Sequence, residues 1–283
     1  MKPTSLLFVC LFAGTVASDA GVVFEDHFDR YTDGTTLNGQ TPVAGSGTWT
    51  GGGGWKVNDH AVSLVGYSDT VYGYFTSPLA AGQKLTLTFD TQAIDGFLDA
   101  SWAVVSLYDS LGHETYIGDP GDPTSPDWIV GGNIAYKQTA DTNQANTATF
   151  TYEFDTGKWT FSTNGGSYNG TGPAGYALDY LRIGAGGQSD YAGKGVAGNM
   201  KLTGIKVSIE PVVVPELKVT AFTRVNATTY QLEWSGGDGT NDVEASTDLV
   251  GWTQILYNVA SPITVDTGGQ PTRFFRVVEP ATP

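Results

Sequence analysis

The chain has one cysteine, three histidines and fourteen basic residues among 283. Each scarcity removes a class of chemistry. Cys10 lies inside the first apolar run, so the rest of the chain can build neither a disulfide nor a thiolate metal site. Three scattered histidines do not make a His-rich metal centre, and no Gly-x-Ser-x-Gly elbow points to a nucleophilic triad. Lys and Arg are too few and too dispersed to grip phosphates, and a formal charge of −15 repels a polyanion, which excludes a nucleic-acid partner. Apolar runs are short. The stretch Leu6 to Ala13 falls well below the roughly 20 residues of a membrane span, and no second stretch follows it.

What the ends do contain is an address. Met1-Lys2 precedes the apolar run, and small residues continue to Ala20, the layout of a secretory signal peptide cleaved after Ala20, with Ala17 as a competing site. The C-terminal Pro-Ala-Thr-Pro carries no anchor, so the expected destination is extracellular. Acidic charge is spread along the chain. Residues 21–210 hold 20 acidic and 9 basic side chains, and residues 211–283 hold 8 and 4. Neither part is a charged tail.

Hydrophobic residues make up 40% of the chain and aromatic residues 12%, enough to fill a core without cross-links. Their spacing is two nearly everywhere. Leu85 to Phe89, Phe150 to Phe154, Trp159 to Phe161 and Ile205 to Ile209 alternate as half-buried strands do. Trp102 to Tyr108 is apolar on both faces apart from Ser106 and reads as a more buried strand. Asp155-Thr156-Gly157 predicts a hairpin turn, as does Asn164-Gly165-Gly166. No window shows a helical period, so the fold class is all-β. The 38 glycines, about twice the usual ~7%, sit largely between the strand-like runs. Two prolines bracket three valines at 211–215, which predicts a stiff connector. The expected organisation is a signal peptide (1–20), a large β domain (21–210), a linker (211–216) and a small β-sandwich (217–283).

Phe24-Glu25-Asp26-His27-Phe28-Asp29-Arg30-Tyr31, then Gly54-Trp55-Lys56-Val57, resemble the opening of the concanavalin A-like (laminin-G-like) jelly rolls of secreted bacterial proteins. Phe154-Asp155-Thr156-Gly157-Lys158-Trp159 and Leu181-Arg182-Ile183-Gly184 continue the likeness, and Gly204-Ile205-Lys206-Val207-Ser208-Ile209 falls where that family has its closing strand. The resemblance implies an antiparallel jelly-roll sandwich over about residues 22–210. It spans lectins, glycanases and modules without known role, so it implies a fold more than an activity. Val243-Glu244-Ala245-Ser246-Thr247-Asp248-Leu249 to Trp252 and Arg273-Phe274-Phe275-Arg276-Val277 look like a short fibronectin type III-like module, with Tyr230 to Trp234 as a core strand.

Concanavalin A-like glucanases carry their carboxylates as Glu-x-Asp-x-Glu or Glu-x-Asp-x-x-Glu on one strand, and neither run is present. The nearest pattern puts Glu25, His27 and Asp29 on one face of an opening strand, with Phe24 and Phe28 turned inward. Arg-x-Glu-x-Arg and Gln-Ile-His, motifs of jelly-roll alginate lyases, are also absent; Tyr136-Lys137 and His113-Glu114 alone supply suitable residue types, and His113 reads as a turn residue. The most unusual segment runs from Gly118 to Trp128. Asp119, Asp122 and Asp127 are candidate calcium ligands on a proline-stiffened loop, and Trp128 is a candidate sugar platform. The same residues also read as ordinary turn chemistry leading into a strand. The turn from Asp26 to Asp33 is a second, weaker calcium candidate. Tyr67, Tyr72, Tyr74, Tyr168, Tyr176 and Tyr191 lie among glycines and are candidate ligand-binding aromatics. Trp55, Trp102, Trp159, Trp234 and Trp252 are assigned to cores.

Together these features predict a secreted, non-catalytic, lectin-like protein with a polysaccharide or glycan ligand and a structural calcium as candidate cofactor. Two alternatives remain open: an adhesion or matrix module with no sugar ligand, and a glycoside hydrolase or lyase with an unrecognised active site. Two carboxylates about 5 to 9.5 Å apart on the concave sheet would mark the hydrolase.

Overall fold

Alternating apolar residues make strands that bury one face, and two such sheets closing on each other bury both. A computed structural model describes residues 21–66, 68–93, 102–119, 129–132, 137–138, 146–163, 166–186, 200–213, 216–237, 240–268, 270 and 273–278. The chain divides into two compact units, Ala17–Val212 and residues 213–283.

In chain order the larger unit contains β1 (Gly21–His27), β2 (Ser46–Gly51), β3 (Trp55–Asn58), β4 (Ala61–Leu64), β5 (Ser68–Tyr74), β6 (Gln83–Ala93), β7 (Trp102–Asp109) and β8 (Glu114–Asp119). It continues with β9 (Ile129–Gly132), β10 (Lys137–Gln138), β11 (Asn146–Glu153), β12 (Lys158–Thr163), β13 (Gly166–Thr171), β14 (Leu178–Gly186) and β15 (Met200–Pro211). An eight-stranded sheet runs β13-β12-β11-β6-β15-β4-β3, with β1 also paired to β15. A seven-stranded sheet runs β10-β9-β8-β7-β14-β5-β2. The pairings are antiparallel, and hairpins of consecutive strands alternate with pairings of segments distant in sequence, such as β6 with β11 and β15 and β14 with β5 and β7. The result is an antiparallel β-sandwich jelly roll. A single 3₁₀ turn, Phe28–Arg30, interrupts the strands among the described residues.

The inward residues are those that the period of two selects. Leu85, Leu87 and Phe89 of β6 and Phe150 and Tyr152 of β11 meet Val105, Leu107, Leu181 and Ile183 in one core. Trp49, on the edge strand β2, is fully buried in it, with Phe24 edge-on at 5.0 Å. The indole needs a partner for its N–H, and Asp26 provides one: Trp49 Nε1 donates to its Oδ2 at 2.7 Å. Tyr31 Oη (2.9 Å), Arg30 Nε (3.0 Å) and the His27 amide (3.0 Å) donate to the same carboxylate. Burial nevertheless raises the Asp26 carboxyl above its ordinary range, outweighing the four donors.

This network corrects two expectations. Asp26, read from sequence as part of an acidic turn, is fully buried and committed to donors, while Asp33 accepts the Asp59 amide at 2.9 Å as a turn residue. Asp29 does not share a face with Glu25 and His27, because the strand ends at His27 and Asp29 lies in the 3₁₀ turn. Phe24 and Phe28 do point inward.

The smaller unit pairs β16 (Lys218–Arg224), β17 (Thr229–Ser235) and β20 (Ile263–Asp266) in one three-stranded sheet. The other holds β18 (Asn241–Ser246), β19 (Thr253–Val259) and β21 (Phe274–Val278). Leu232, Trp234, Val243, Val265 and Phe275 form its core. Trp252 is not among them. It is half-buried with the Arg276 guanidinium 4.4 Å over its ring, and Arg276 Nε in turn meets Glu244 Oε2 at 2.5 Å. Among the described residues, no helix is long and apolar enough to cross a membrane.

Candidate functional site

The residues that a buried strand turns away from the core become its outer face. On the seven-stranded sheet this face is aromatic. The register sets Tyr74 of β5 beside Tyr180 of β14, Tyr180 beside Tyr108 of β7, and Tyr108 beside Glu114 of β8. One step along, Tyr72 stands beside Arg182, Arg182 beside Ser106, and Ser106 beside Tyr116. Tyr108 and Tyr180 stack with centroids 5.0 Å apart and planes 4° from parallel. Tyr74 and Tyr72 tilt against Tyr180 at 5.6 and 6.3 Å.

One ion pair lies among the rings. Arg182 Nη2 donates to Glu114 Oε1 at 2.6 Å and to Ser106 Oγ at 3.2 Å, and the guanidinium stands 5.3 Å over the Tyr108 ring. Ser106 is fully buried beneath these side chains although it points away from the core. Burial lifts the Tyr108 phenol far above its usual range, and its hydrogen bond to Glu114 lifts it further, with Arg182 pulling the other way. The phenol hydroxyl is engaged as a hydrogen-bond donor to Glu114.

Further along β14, small residues make room for rings to lie flat. A methyl group at Gly184 would fall 2.8 Å from the six-membered ring of Trp102, and one at Gly186 would fall 2.7 Å from its Nε1. The indole therefore rests on a floor of two glycines, with Thr70 and Ser68 beside them. Tyr116 lies on Gly131 of β9 in the same way, its hydroxyl 2.5 Å from where a Cβ would be. Trp102 is half-buried on this outer face rather than in the core to which the sequence assigns it. The physical reason is register: Ala103, Val105 and Leu107 point inward, so Trp102 points outward.

Of the aromatic candidates read from the sequence, Tyr72 and Tyr74 are brought together on this face. Tyr168 lies elsewhere, on β13 rather than in a loop, and rests against the core. Tyr176 also packs against the core and stacks on His113 at 4.3 Å. Tyr67, Trp128, Tyr191, Asp122 and Asp127 lie outside the described residues, as does Tyr136. Asp119 is the last residue of β8; its side chain is not among those described. No group of three or more metal-ligating side chains converges among the described residues. Cys10 and the predicted signal peptide also lie outside them.

His113 follows the β7–β8 turn, as expected, but is more than a turn residue. Its Nδ1 meets Asp109 Oδ2 at 2.7 Å, while its amide and that of Leu111 donate to Asp109 Oδ1 at 2.9 Å. Burial works against the Asp109 charge, but these His113 and Leu111 bonds hold its carboxyl below the ordinary range. Nearby, burial and the Asp109 charge raise the Asp179 carboxyl, whose Oδ1 has no hydrogen-bond partner among the described residues.

Sequence reading missed Trp102, Tyr108, Tyr180, Arg182 and Tyr116 as parts of this face, and named Glu114 only beside His113 as a residue type suited to a lyase. The signal for four of them was the period of two already in use. In Trp102 to Tyr108 and in Tyr180 to Gly186 the outward series carries Trp102, Ser106, Tyr108, Tyr180 and Arg182.

No protein-family model matches the chain, and none of the curated proteins is similar to it in sequence. Solved structures similar to it include an endo-1,3-β-glucanase from Streptomyces sioyaensis, at 13% identity and a TM-score of 0.49, covering 71% of this chain and all of that one. The exoplasmic/lumenal domain of VIP36 in its Ca²⁺- and Man2-bound form is 15% identical with a TM-score of 0.42, covering 63% of this chain and 95% of that one. The globular domain of Trypanosoma cruzi (T. cruzi) calreticulin is 10% identical with a TM-score of 0.41, covering 68% and 89%. These likenesses are of fold.

Proposed function

We propose that the protein is a secreted, non-catalytic carbohydrate-binding protein whose larger unit holds a glycan on the outer face of the seven-stranded sheet. The observation that carries this reading is the half-exposed aromatic surface itself. Tyr72, Tyr74, Tyr108 and Tyr180 are gathered from three strands, beside an indole laid flat on glycines. Aromatic rings offer apolar faces to the C–H faces of sugars, and their polar tips, with Arg182 and Glu114, serve hydroxyl groups. Among the described side chains of this face Glu114 is the one carboxylate, and it is tied to Arg182 and Tyr108.

The export signal supports an extracellular site of action. The two three-stranded sheets of the smaller unit support its reading as a trimmed fibronectin type III-like sandwich; the connector expected at 211–216 is shorter at its start, because Pro211 still pairs with Gln83 in β15. Calcium on Asp119, Asp122 and Asp127 is an accessory to this proposal and rests on the sequence alone. A native-state ligand raises apparent stability, so a melting midpoint that is unchanged by chelator removes it.

The test of the main reading is retention on immobilised polysaccharides, or a glycan array, with and without Ca²⁺. Retention on at least one glycan, lost in Tyr180→Ala, is the expected result. No retention on any glycan sinks the proposal, and capture of a protein partner in its place favours an adhesion module.

A further inference from the structure

The face is long, and its central cation is already engaged. Trp102 lies over Gly184 and Gly186, whereas Tyr74 pairs with Tyr180, so the indole and the tyrosine group are about five residues apart along β14. At the usual rise this is about 17 Å, a span that takes an oligosaccharide of roughly three or more sugar units. Arg182 lies between the two ends on the same strand. Its Nη2 is held by Glu114 and Ser106, and its plane lies over the Tyr108 ring.

Arg182 is the one cation among the described side chains of this face and Glu114 the one anion, so the two neutralise each other. An acidic glycan that drew the guanidinium from its 2.6 Å partner would leave Glu114 half-buried with the Tyr108 hydroxyl but no counter-charge. It would also approach a chain segment with 20 acidic and 9 basic residues. An uncharged chain meets neither obstacle, because its hydroxyl groups bond to the outer atoms of an intact ion pair.

The geometry points to an uncharged polysaccharide as the ligand, bound along its length between the Trp102 indole and the Tyr74 ring rather than by a terminal sugar. This inference rests on the glycan-binding reading above.

The test is calorimetric titration of the full chain with the hexasaccharide and disaccharide of a β-1,3-glucan, a mannan and a xylan, beside alginate and polygalacturonate oligomers of matched length. The expected result is that at least one uncharged hexasaccharide binds at least about tenfold tighter than its disaccharide. Trp102→Ala and Tyr74→Ala, at opposite ends, should each weaken the hexasaccharide by roughly tenfold. Tyr74 is an exposed residue at the sheet's margin, so its removal spares the fold if Trp102→Ala does not. Two outcomes overturn the inference while leaving glycan binding intact. One is binding restricted to the acidic oligomers, weakened by salt and lost in Arg182→Gln. The other is equal affinity for disaccharide and hexasaccharide. Failure of every oligomer to bind, together with no retention on any glycan, removes both readings.

Discussion

The two sheets of the larger unit share one core but present opposite chemistries to the outside. On the eight-stranded sheet the outward rows are short and hydroxylated. Ser208, Thr86, Thr151, Thr160 and Asn169 stand side by side across five strands, and Lys206, Thr88, Thr149, Ser162 and Ser167 form the next row. Thr151 and Thr160 bond to each other at 2.7 Å. On the seven-stranded sheet the equivalent rows hold Tyr74, Tyr180, Tyr108 and Glu114, then Tyr72, Arg182, Ser106 and Tyr116. Threonine satisfies the preference of a strand with little area to bury, whereas a row of half-exposed tyrosines keeps apolar area in water. The fold requires inward residues of a given size on both sheets and leaves the outward set free, so on the glycan-binding reading proposed above the difference between the two outsides is where function is written.

The strongest way to break this comparison is to show that the two sheets are not one cooperative unit. Asp26 anchors Trp49, fully buried in the shared core, by accepting its N–H. Asp26→Ala leaves the indole, Tyr31 and the partly exposed Arg30 without that acceptor and should cost about 3 kcal/mol. Far- and near-ultraviolet circular dichroism should report a single transition at a lower temperature. Two separate transitions within the larger unit would mean that its sheets fold independently, and their outer faces could then not be compared as alternatives on one scaffold.

A smaller effect sharpens the comparison by placing one new methyl group on each outside, added at a glycine on one and exchanged for a hydroxyl on the other. Gly184→Ala drives a Cβ into the Trp102 ring and should destabilise by roughly 1–3 kcal/mol, as overpacking does. It should weaken glycan retention as well, since the indole is lifted from its floor. Thr149→Val adds no such collision on the hydroxyl face and should leave retention unchanged. Equal loss of retention in the two variants would place the ligand on neither face in particular.

Much of the fold was legible because burial imposes a period that strands display directly. Leu85 to Phe89 and the Asp155–Gly157 hairpin are found where the alternation places them, and so is the strand from Phe150, although it ends at Glu153 and leaves Phe154 in the turn. The site was legible only in part. Tyr72 and Tyr74 stand out by proximity in sequence, but Tyr108, Tyr180 and Arg182 join them only through pairings of β14 with β5 and β7, contacts between segments roughly 75 to 110 positions apart. Trp102 was hidden for a different reason. Large aromatic residues are usually buried, and nothing local signals that two glycines on another strand have cleared an outer berth for it. Asp26 was misread because an acidic residue in a turn is usually solvated, and its buried indole partner is 23 residues away.

The smallest expected effect concerns pH and the turn that ends the aromatic sheet. Asp109 closes β7 and is held below the ordinary carboxylate range, so it binds protons less readily folded than unfolded. Its stabilising contribution is complete above the unfolded carboxylate value near 4 and is lost as pH falls through the lowered folded value. Asp26 and Asp179 have the opposite sign. Their carboxyls are raised by burial, so ionising them costs stability as pH rises from the unfolded value through the folded one. The melting midpoint of the wild type should therefore fall at the acid end less than Asp109 alone would dictate. Asp109→Asn should lower the midpoint at neutral pH and flatten its decline below pH 4. Asp179→Asn, which removes a charge whose Oδ1 lacks a partner among the described residues, should raise the midpoint at neutral pH and lose that advantage on acidification. A midpoint for Asp179→Asn that stays below the wild type from pH 3 to 8 would show that the carboxylate is needed where it stands. The end of the aromatic sheet would then have to be redrawn with a partner for it.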